Sequence, residues 1–451
     1  MKKWLAMTCV GSFLCIHEGL PAQTAARIVT SGATRLDKYM APLLDLQVFS
    51  GTILVAQRGR YIVERSYGLA DVENRIPIRG STVFRIASIS KSFTRALIGK
   101  LADQKLLSID DTLSRWLPAI PSANRITVRM LLDHRSGIPN VNSLPYDEEA
   151  FQPNSLSQLV DSIARGRLDF EPGTRHRYSN GGYAVLARVV ELATHERFDR
   201  VLDREILHPL HLEQTIHETD GMIVEHLAQG YMPSPEMPNR LVRAPFQEMN
   251  TKTGGGSLVS SSRDLVRWAR AIGRSNILKH RTWAELFPDK DSGFAFQGRA
   301  PGFNVVMRHD RKRDITTVVL TNNYAAGMAA DVASGAEAIG RGEAPRALPV
   351  VSPVRALARD MRTLAGTYSF PDGALPVPPG TSIEIRRVEN NLVAYLGSVP
   401  VDVLIPQGPR TWLARALWSM VEATGSGLAA DSIKVRALYR DFAFTARRKV
   451  K

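Results

Sequence analysis

The sequence predicts an α+β protein followed by a small all-β module, and three observations predict it. Strand-like runs stand at both ends of a largely helical middle; the later one, ITTVVL (Ile315 to Leu320), is β-branched and apolar enough for a buried central strand. Gly340, Gly342, Pro345, Pro349 and Pro353 then interrupt any regular element. Beyond them come strand-length segments: Leu364 to Phe370, Ser382 to Val388, Leu392 to Leu396, Val401 to Ile405 and Phe442 to Thr445, with Asn390-Asn391 as a turn. Strands flanking a helical region favour one sheet that joins chain-distant segments. The resulting division is a leader at 1–26, a main domain at 30–340, a linker at 341–356 and a β domain at 357–451.

Each element has a local reason. Lys2 and Lys3 precede an apolar run from Trp4 to Ile16, followed by small residues near Ala22 and Ala26, the pattern of a cleaved secretory signal. That run is shorter than the roughly 20 residues a membrane span needs, so the expectation is an exported protein, periplasmic or secreted, with no transmembrane segment after cleavage. Both cysteines, Cys9 and Cys15, fall inside the signal, so the mature chain should hold no disulfide and no thiol chemistry. Leu36 to Leu46 has an amphipathic pattern that Pro42 is expected to break or kink. Two strands follow around Arg58-Gly59-Arg60, then a helix from Ser88 to about Ala102. A helical piece at Ile126 to Leu132 is stopped by Gly137 and Pro139. Helical periodicity returns at Gly182 to Leu192 and at Ser262 to Ile272, the latter with Ser261 or Ser262 as N-cap.

The net charge of +14 is mostly thinly spread arginine. Its densest internal cluster, His309 to Asp314, has acids within it, as a hairpin turn would. No basic stripe is interleaved with aromatics, which argues against nucleic acid as a partner. His208, His211 and His217 are spaced along a loop and do not form a zinc pattern, so no metal and no cofactor is called for. The absence of Gly-x-Ser-x-Gly argues against an α/β-hydrolase triad.

The chemistry concentrates in FRIASISKSFTR. Ser88 and Lys91, three apart at a helix start, share a face, where an amine can draw a proton from a hydroxyl once burial suppresses its charge. An exposed serine with a solvated lysine would show the same spacing, so context decides. Tyr178-Ser179-Asn180 follows FEPGTRHR and opens onto a glycine pair and a helix. Gly298-Arg299-Ala300-Pro301-Gly302-Phe303 precedes the last strand pair.

Together with ITVRMLLDHRSGIP, GGGSLVSSSRDLVRWA and ITTVVLTNN, these segments resemble the serine β-lactamase-related hydrolases: class C β-lactamases, penicillin-binding proteins, D-amino-acid peptidases and lactamase-like esterases. The resemblance runs from about residue 35 to 340 and implies the β-lactamase/penicillin-binding-protein-like transpeptidase fold. It implies Ser88 as the acylated nucleophile, Lys91 as the amine that keeps its proton mobile and Tyr178 as proton relay. Asn180 would hold Lys91 or the substrate. The family's third element, usually Lys-Thr-Gly or His-x-Gly, falls on Phe296-Gln297-Gly298, which puts a ring in place of a cation. Gly298 would allow close backbone approach, and the N–H of Arg299 would join that of Ser88 in an oxyanion hole. The literal Lys252-Thr253-Gly254 precedes the SRDLVRWA helix and is read as a decoy without a catalytic part.

These readings give an exported serine hydrolase acting on a small-molecule ester, amide or peptide, with esterase preferred because Phe296 replaces the carboxylate anchor. A D-amino-acid peptidase, carboxypeptidase or β-lactamase is the alternative. A catalytically silent peptidoglycan-binding or scaffold protein is the alternative of another class. The C-terminal module resembles the lipocalin-like domain appended to some secreted D-peptidases, where it would shape the active-site mouth or mediate oligomers; the sequence sets no oligomeric state.

Overall fold

The computed structural model describes residues 22–449 apart from 142–154, 235–239, 275–276, 288–292, 324–326, 349–357, 372–379, 389–390, 398, 416–417, 426, 428 and 439–442. The principal elements in chain order are α1 (Ala22–Asp45), β1 (Gly51–Gln57), β2 (Arg60–Tyr67), α2 (Ser90–Asp103), α3 (Val128–Leu132), α4 (Leu156–Arg165) and α5 (Asn180–Thr194). Then come α6 (Ser262–Gly273), α7 (His280–Leu286), β3 (Phe294–Ala300), β4 (Phe303–Asp310), β5 (Ile315–Thr321), α8 (Met328–Gly340) and α9 (Ala358–Leu364).

Strands from the two ends of the main domain form one antiparallel sheet in the order β3-β4-β5-β1-β2. β5 is its wholly buried centre, as its β-branched run predicts, and pairs Thr321 with Gly51 and Ile315 with Gln57. The β1–β2 hairpin turns on Arg58 (φ 51°) and Gly59 (φ 82°), two left-handed residues of the kind a two-residue turn requires. Side chains alternate across the sheet. Leu54 and Ala56 join Val305, Met307, Val318 and Leu320 in a core shared with α2, α3, α5 and α6. Ile53, Val55, Val63, Val306 and Val319 face the other way, onto α1 and α8.

Pro42 does not end the first helix. α1 runs on to Asp45 because Pro42 is on its exposed side while Leu36, Met40 and Leu43 are fully buried beneath it. Tertiary packing therefore outweighs the lost backbone bond. The helix starts at Ala22, so residues 22–26 of the expected 1–26 leader belong to it, while residues 1–21 lie outside the described residues. The later helices follow the sequence closely: Ser261 caps α6 by accepting the Asp264 N–H, and Thr127 caps α3.

The C-terminal module is a closed eight-stranded barrel in which each strand pairs with the next and the last returns to the first. Its strands are β6 (Gly366–Ser369), β7 (Ser382–Val388), β8 (Asn391–Leu396), β9 (Val399–Gly408), β10 (Thr411–Ala414), β11 (Ser419–Thr424), β12 (Ser432–Ala437) and β13 (Ala443–Arg448). Three of these, β10 to β12, extend the sequence reading; Asn390 of the expected turn lies outside the described residues. The interior is filled by Tyr368, Trp412, Leu392, Leu404 and their neighbours. Leu413 and Trp418 pack with α1 and α8. There the Trp418 indole donates to Asp331 of α8 (2.9 Å) and Arg415 donates to the Gln47 carbonyl (3.0 Å). The barrel thus sits on the α1/α8 side of the sheet, away from α2. Among the described residues it contributes nothing to the cavities at Ser88, which bears against its shaping the active-site mouth.

Candidate active site

Ser88 sits in a single tight turn, Ala87–Ile89, just ahead of α2. Ala87 is left-handed (φ 45°), a conformation that disfavours a side chain and costs about 1–2 kcal/mol. Such strain persists only where the surroundings over-determine it, and here they do. The Ile86 N–H donates to the Leu258 carbonyl at 2.9 Å. From the other side, β3 comes so close that a Cβ on Gly298 would lie 2.1 Å from the Ile86 carbonyl oxygen. No other residue type fits at position 298 without moving the strand. That approach brings the next residue, Arg299, to the same cleft as Ser88.

Lys91 lies one helical turn on and is only 7% exposed. Its amine is 3.3 Å from Ser88 Oγ, 2.6 Å from Asn180 Oδ1 and 2.6 Å from the Gly255 carbonyl. Burial lowers its pKa to about 7, far below a solvated lysine. Asn180 is fixed in the orientation that offers its oxygen, because its amide nitrogen donates to Asn140 Oδ1 (3.0 Å). With two N–H bonds given to Asn180 and Gly255, the third direction of a neutral amine is a lone pair directed at Ser88.

Tyr178 supplies the second contact to the nucleophile, its hydroxyl 2.6 Å from Ser88 Oγ. Its ring lies beside the Lys91 amine, 4.9 Å from nitrogen to centroid. Burial raises the phenol's pKa, the bond to Ser88 opposes the rise, and the neighbouring Tyr183 adds to it. Tyr178 therefore holds its proton at neutral pH, and a phenolate is not its resting state. The tyrosine is held by its neighbours: Ser179 caps α5 through the Gly182 N–H (2.9 Å), and the Ser179 N–H donates to His134 Nδ1 (3.2 Å). The His134 ring lies 4.7 Å from that of Tyr178. Burial, with Lys91 next, lowers the His134 pKa to about 4, which keeps this ring neutral.

The sequence therefore anticipated a set that the fold does bring together: Ser88, Lys91, Tyr178 and Asn180 meet, Phe296 and Arg299 each line a hollow at Ser88, and Gly298 lies between them on the strand, against the Ile86 carbonyl. It missed the carbonyl of Gly255, the orienting Asn140 and His134, and the position of Lys252. Lys252-Thr253-Gly254 is off the strand beside the nucleophile, as read, and Lys252 nonetheless lines the cleft at Ser88. The glycine run was the available signal. Gly254 takes φ 77° with its Cα against the Tyr183 carbonyl, where a Cβ would lie 2.5 Å away, and this bend presents Gly255 to Lys91. Thr94 of α2 ties the same run by donating to the Gly254 carbonyl (2.7 Å).

Two hollows open from Ser88. One, of about 480 Å³, is walled by Phe294, Phe296, Trp283, Leu286, Phe287 and Ile272 and includes Tyr178, with Arg95, Asp133 and Arg311 also lining it. The other, of about 320 Å³, is the more polar of the two and carries Asn180, Gln247, Thr251, Lys252 and Arg299. His208, His211 and His217 share a separate depression; among the described residues no group of histidine, cysteine and acidic side chains could hold a metal ion.

This geometry can be set beside known proteins. Penicillin-binding protein 4* of Bacillus subtilis is 24% identical over 429 residues, 87% of this chain and 93% of that protein. The D-amino acid amidase of Ochrobactrum anthropi SV3 superposes with a TM-score of 0.58 at 22% identity, over 69% of this chain and 96% of the amidase. EstCE1, a hydrolase with promiscuous acyltransferase activity, gives 0.55 at 23% identity, over 69% and 97%. At these identities the structural likeness speaks for the fold. The Beta-lactamase family model matches residues 36–340, the whole segment that builds the sheet and the Ser88 cleft, and the chain belongs to that family of serine hydrolases.

Proposed function

We propose that this protein is an exported serine hydrolase that cleaves an ester or amide through an acyl-enzyme on Ser88. The observation that carries the reading is the double contact of one hydroxyl, Ser88 Oγ, with a buried low-pKa amine and a phenol that keeps its proton. As Ser88 attacks the carbonyl carbon, its proton passes to the Lys91 amine. The developing oxyanion is received by the N–H groups of Ser88 and Arg299. Tyr178 donates its proton to the departing alcohol or amine and recovers one from Lys91 across Ser88. In deacylation the same groups act in reverse: water takes the leaving group's place and gives its proton to Tyr178 while Tyr178 passes its own to the neutral Lys91 amine, and Lys91 returns a proton to Ser88 Oγ as the acyl bond breaks.

Tyr178 lines the aromatic hollow, so the leaving group lies there, against Phe296 and its neighbours. An apolar leaving group suits that wall. A carboxylate adjacent to the departing nitrogen, as in a penicillin, would instead meet the Phe296 ring, which supports the esterase reading over the β-lactamase one. A fluorophosphonate probe should label the pure protein, and short p-nitrophenyl esters should be turned over faster than penicillins. Ser88→Ala should abolish both labelling and ester hydrolysis with the fold intact by circular dichroism. Labelling that survives this substitution places the nucleophile elsewhere and refutes the reading.

A further inference from the structure

The two hollows at Ser88 differ in chemistry, and the side chains of Lys252 and Arg299 in the more polar one have no part in the steps above. Its lining holds two cations, Lys252 and Arg299, together with Asn180, Gln247, Thr251 and Thr253, and among the described residues no acidic side chain. The acids that act on Lys252, Glu248 and Asp220, lie outside that lining. The backbone of Lys252 is fixed from both directions. Its N–H donates to the Met249 carbonyl (2.9 Å), and its own carbonyl accepts the N–H groups of Gly255 (3.0 Å) and Gly256 (2.8 Å). Since the Gly255 carbonyl is the acceptor for Lys91, the segment carrying Lys252 is tied to the catalytic amine within three residues. A half-buried lysine on a braced loop, lining the nucleophile's cleft together with an exposed arginine, is placed to meet an anion there.

We infer that the hollow lined by Lys252 and Arg299 binds an anionic group, a carboxylate, on the acyl portion of the substrate. The assignment to the acyl side rests on the proposed mechanism: the leaving group must lie by Tyr178, which borders only the aromatic hollow of the two. The substrate is then polarised, with an apolar leaving group on one side of the scissile bond and an acid-tipped acyl group on the other. Lys252, set aside by its sequence position, becomes the specificity residue, reached from a loop instead of from the strand that carries Phe296.

The test uses two p-nitrophenyl esters of equal chain length, the glutarate monoester, which ends in a carboxylate, and the neutral valerate. The quantity measured is the ratio of their kcat/KM values, which cancels general damage to the catalytic groups. In the wild type the ratio should favour the glutarate ester at least tenfold and shrink with added salt. Lys252→Met should bring it close to one, Lys252→Arg should keep most of it, and Arg299→Gln, at a more exposed position, should reduce it by a smaller factor. A wild-type ratio near one overturns the inference while leaving the serine mechanism standing. So does a preference that survives Lys252→Met and disappears in Arg311→Met, since Arg311 lines the other hollow. Calorimetric titration of Ser88→Ala protein with both esters gives the same comparison without turnover, so failure of either ester to be hydrolysed would count against the nucleophile and not against the anion site. Tighter binding of the glutarate ester there, lost in the Lys252→Met double variant, supports the site; equal binding overturns it.

Discussion

The two faces of the central sheet bury similar apolar residues and do opposite things. On the α1/α8 face, Ile53, Val55 and Val319 meet Leu36, Met40, Leu43, Met328 and Val332, and the barrel adds Leu413 and Trp418. The other face carries Leu54, Val305 and Leu320 in one core with α6 and with α2, whose buried residues include Ser90, Lys91, Ser92 and Thr94 as well as Phe93 and Leu97. An apolar helix would fold better there, because an amine taken out of water is costly unless its bonds are replaced. The polar side chains of α2 are each tied: Ser92 to the Ile89 carbonyl and the Trp268 indole, Thr94 to Gly254, and Ser90 to the Leu258 N–H. One face is arranged for stability, while the other accepts polar burial in exchange for a tuned amine.

The comparison breaks most visibly at Tyr178. Tyr178→Phe removes one hydroxyl from the reactive face and should lower kcat for ester hydrolysis by about 10²- to 10⁴-fold, the range of a positioned proton donor and acceptor. The melting temperature should barely move, since the ring and its contact with His134 remain. A loss under about tenfold, below that range, would make Tyr178 a packing residue.

Trp418 gives the complementary result on the stable face. It is fully buried against α1 and α8, and its indole donates to Asp331. Trp418→Ala should cost about 3–5 kcal/mol of stability, seen as a lower denaturation midpoint. At temperatures where the variant is folded, kcat/KM should stay within about twofold, a change of under about 0.5 kcal/mol in barrier. A large kinetic effect with little loss of stability would show that the barrel communicates with the cleft through the sheet.

Legibility in the sequence divides along the same line. The reactive face was readable where chemistry and local spacing coincide: Ser88 and Lys91 are three apart, and Tyr178 and Asn180 flank a helix cap, so side-chain type alone narrows their roles. It was not readable where the contribution comes from backbone. Gly255 acts through a carbonyl, Ala87 through a left-handed turn, and Lys252 through a loop whose position depends on Gly254 pressing on α5. On the stable face the pattern of α1 was plain, but Pro42 misled, because propensity could not anticipate how much apolar surface the helix buries. The barrel's first strands stood out between glycine and proline breaks. β10 to β12 did not: β10 is only four residues long and buried along most of its length, while the alternation of burial in β11 and β12 went unread.

The smallest expected effect is also the one most specific to the reactive face. Lys91 can take the Ser88 proton only as a neutral amine, and burial sets its pKa at about 7. Below that value the amine is protonated and its lone pair is gone; above it the base is free. Log kcat/KM should therefore rise with slope one up to about pH 7 and level off, so that lowering the pH from 7 to 6 costs no more than about tenfold. A limb near 4 would instead belong to His134, whose ring burial holds at that value. A limb near 10, the ordinary lysine range, would mean that the amine is solvated in the working enzyme. Repeating the profile in Trp418→Ala separates the faces: stability should fall while the midpoint near 7 stays in place, because nothing Trp418 touches reaches Gly255, Asn180 or Ser88, the three groups that surround the Lys91 nitrogen.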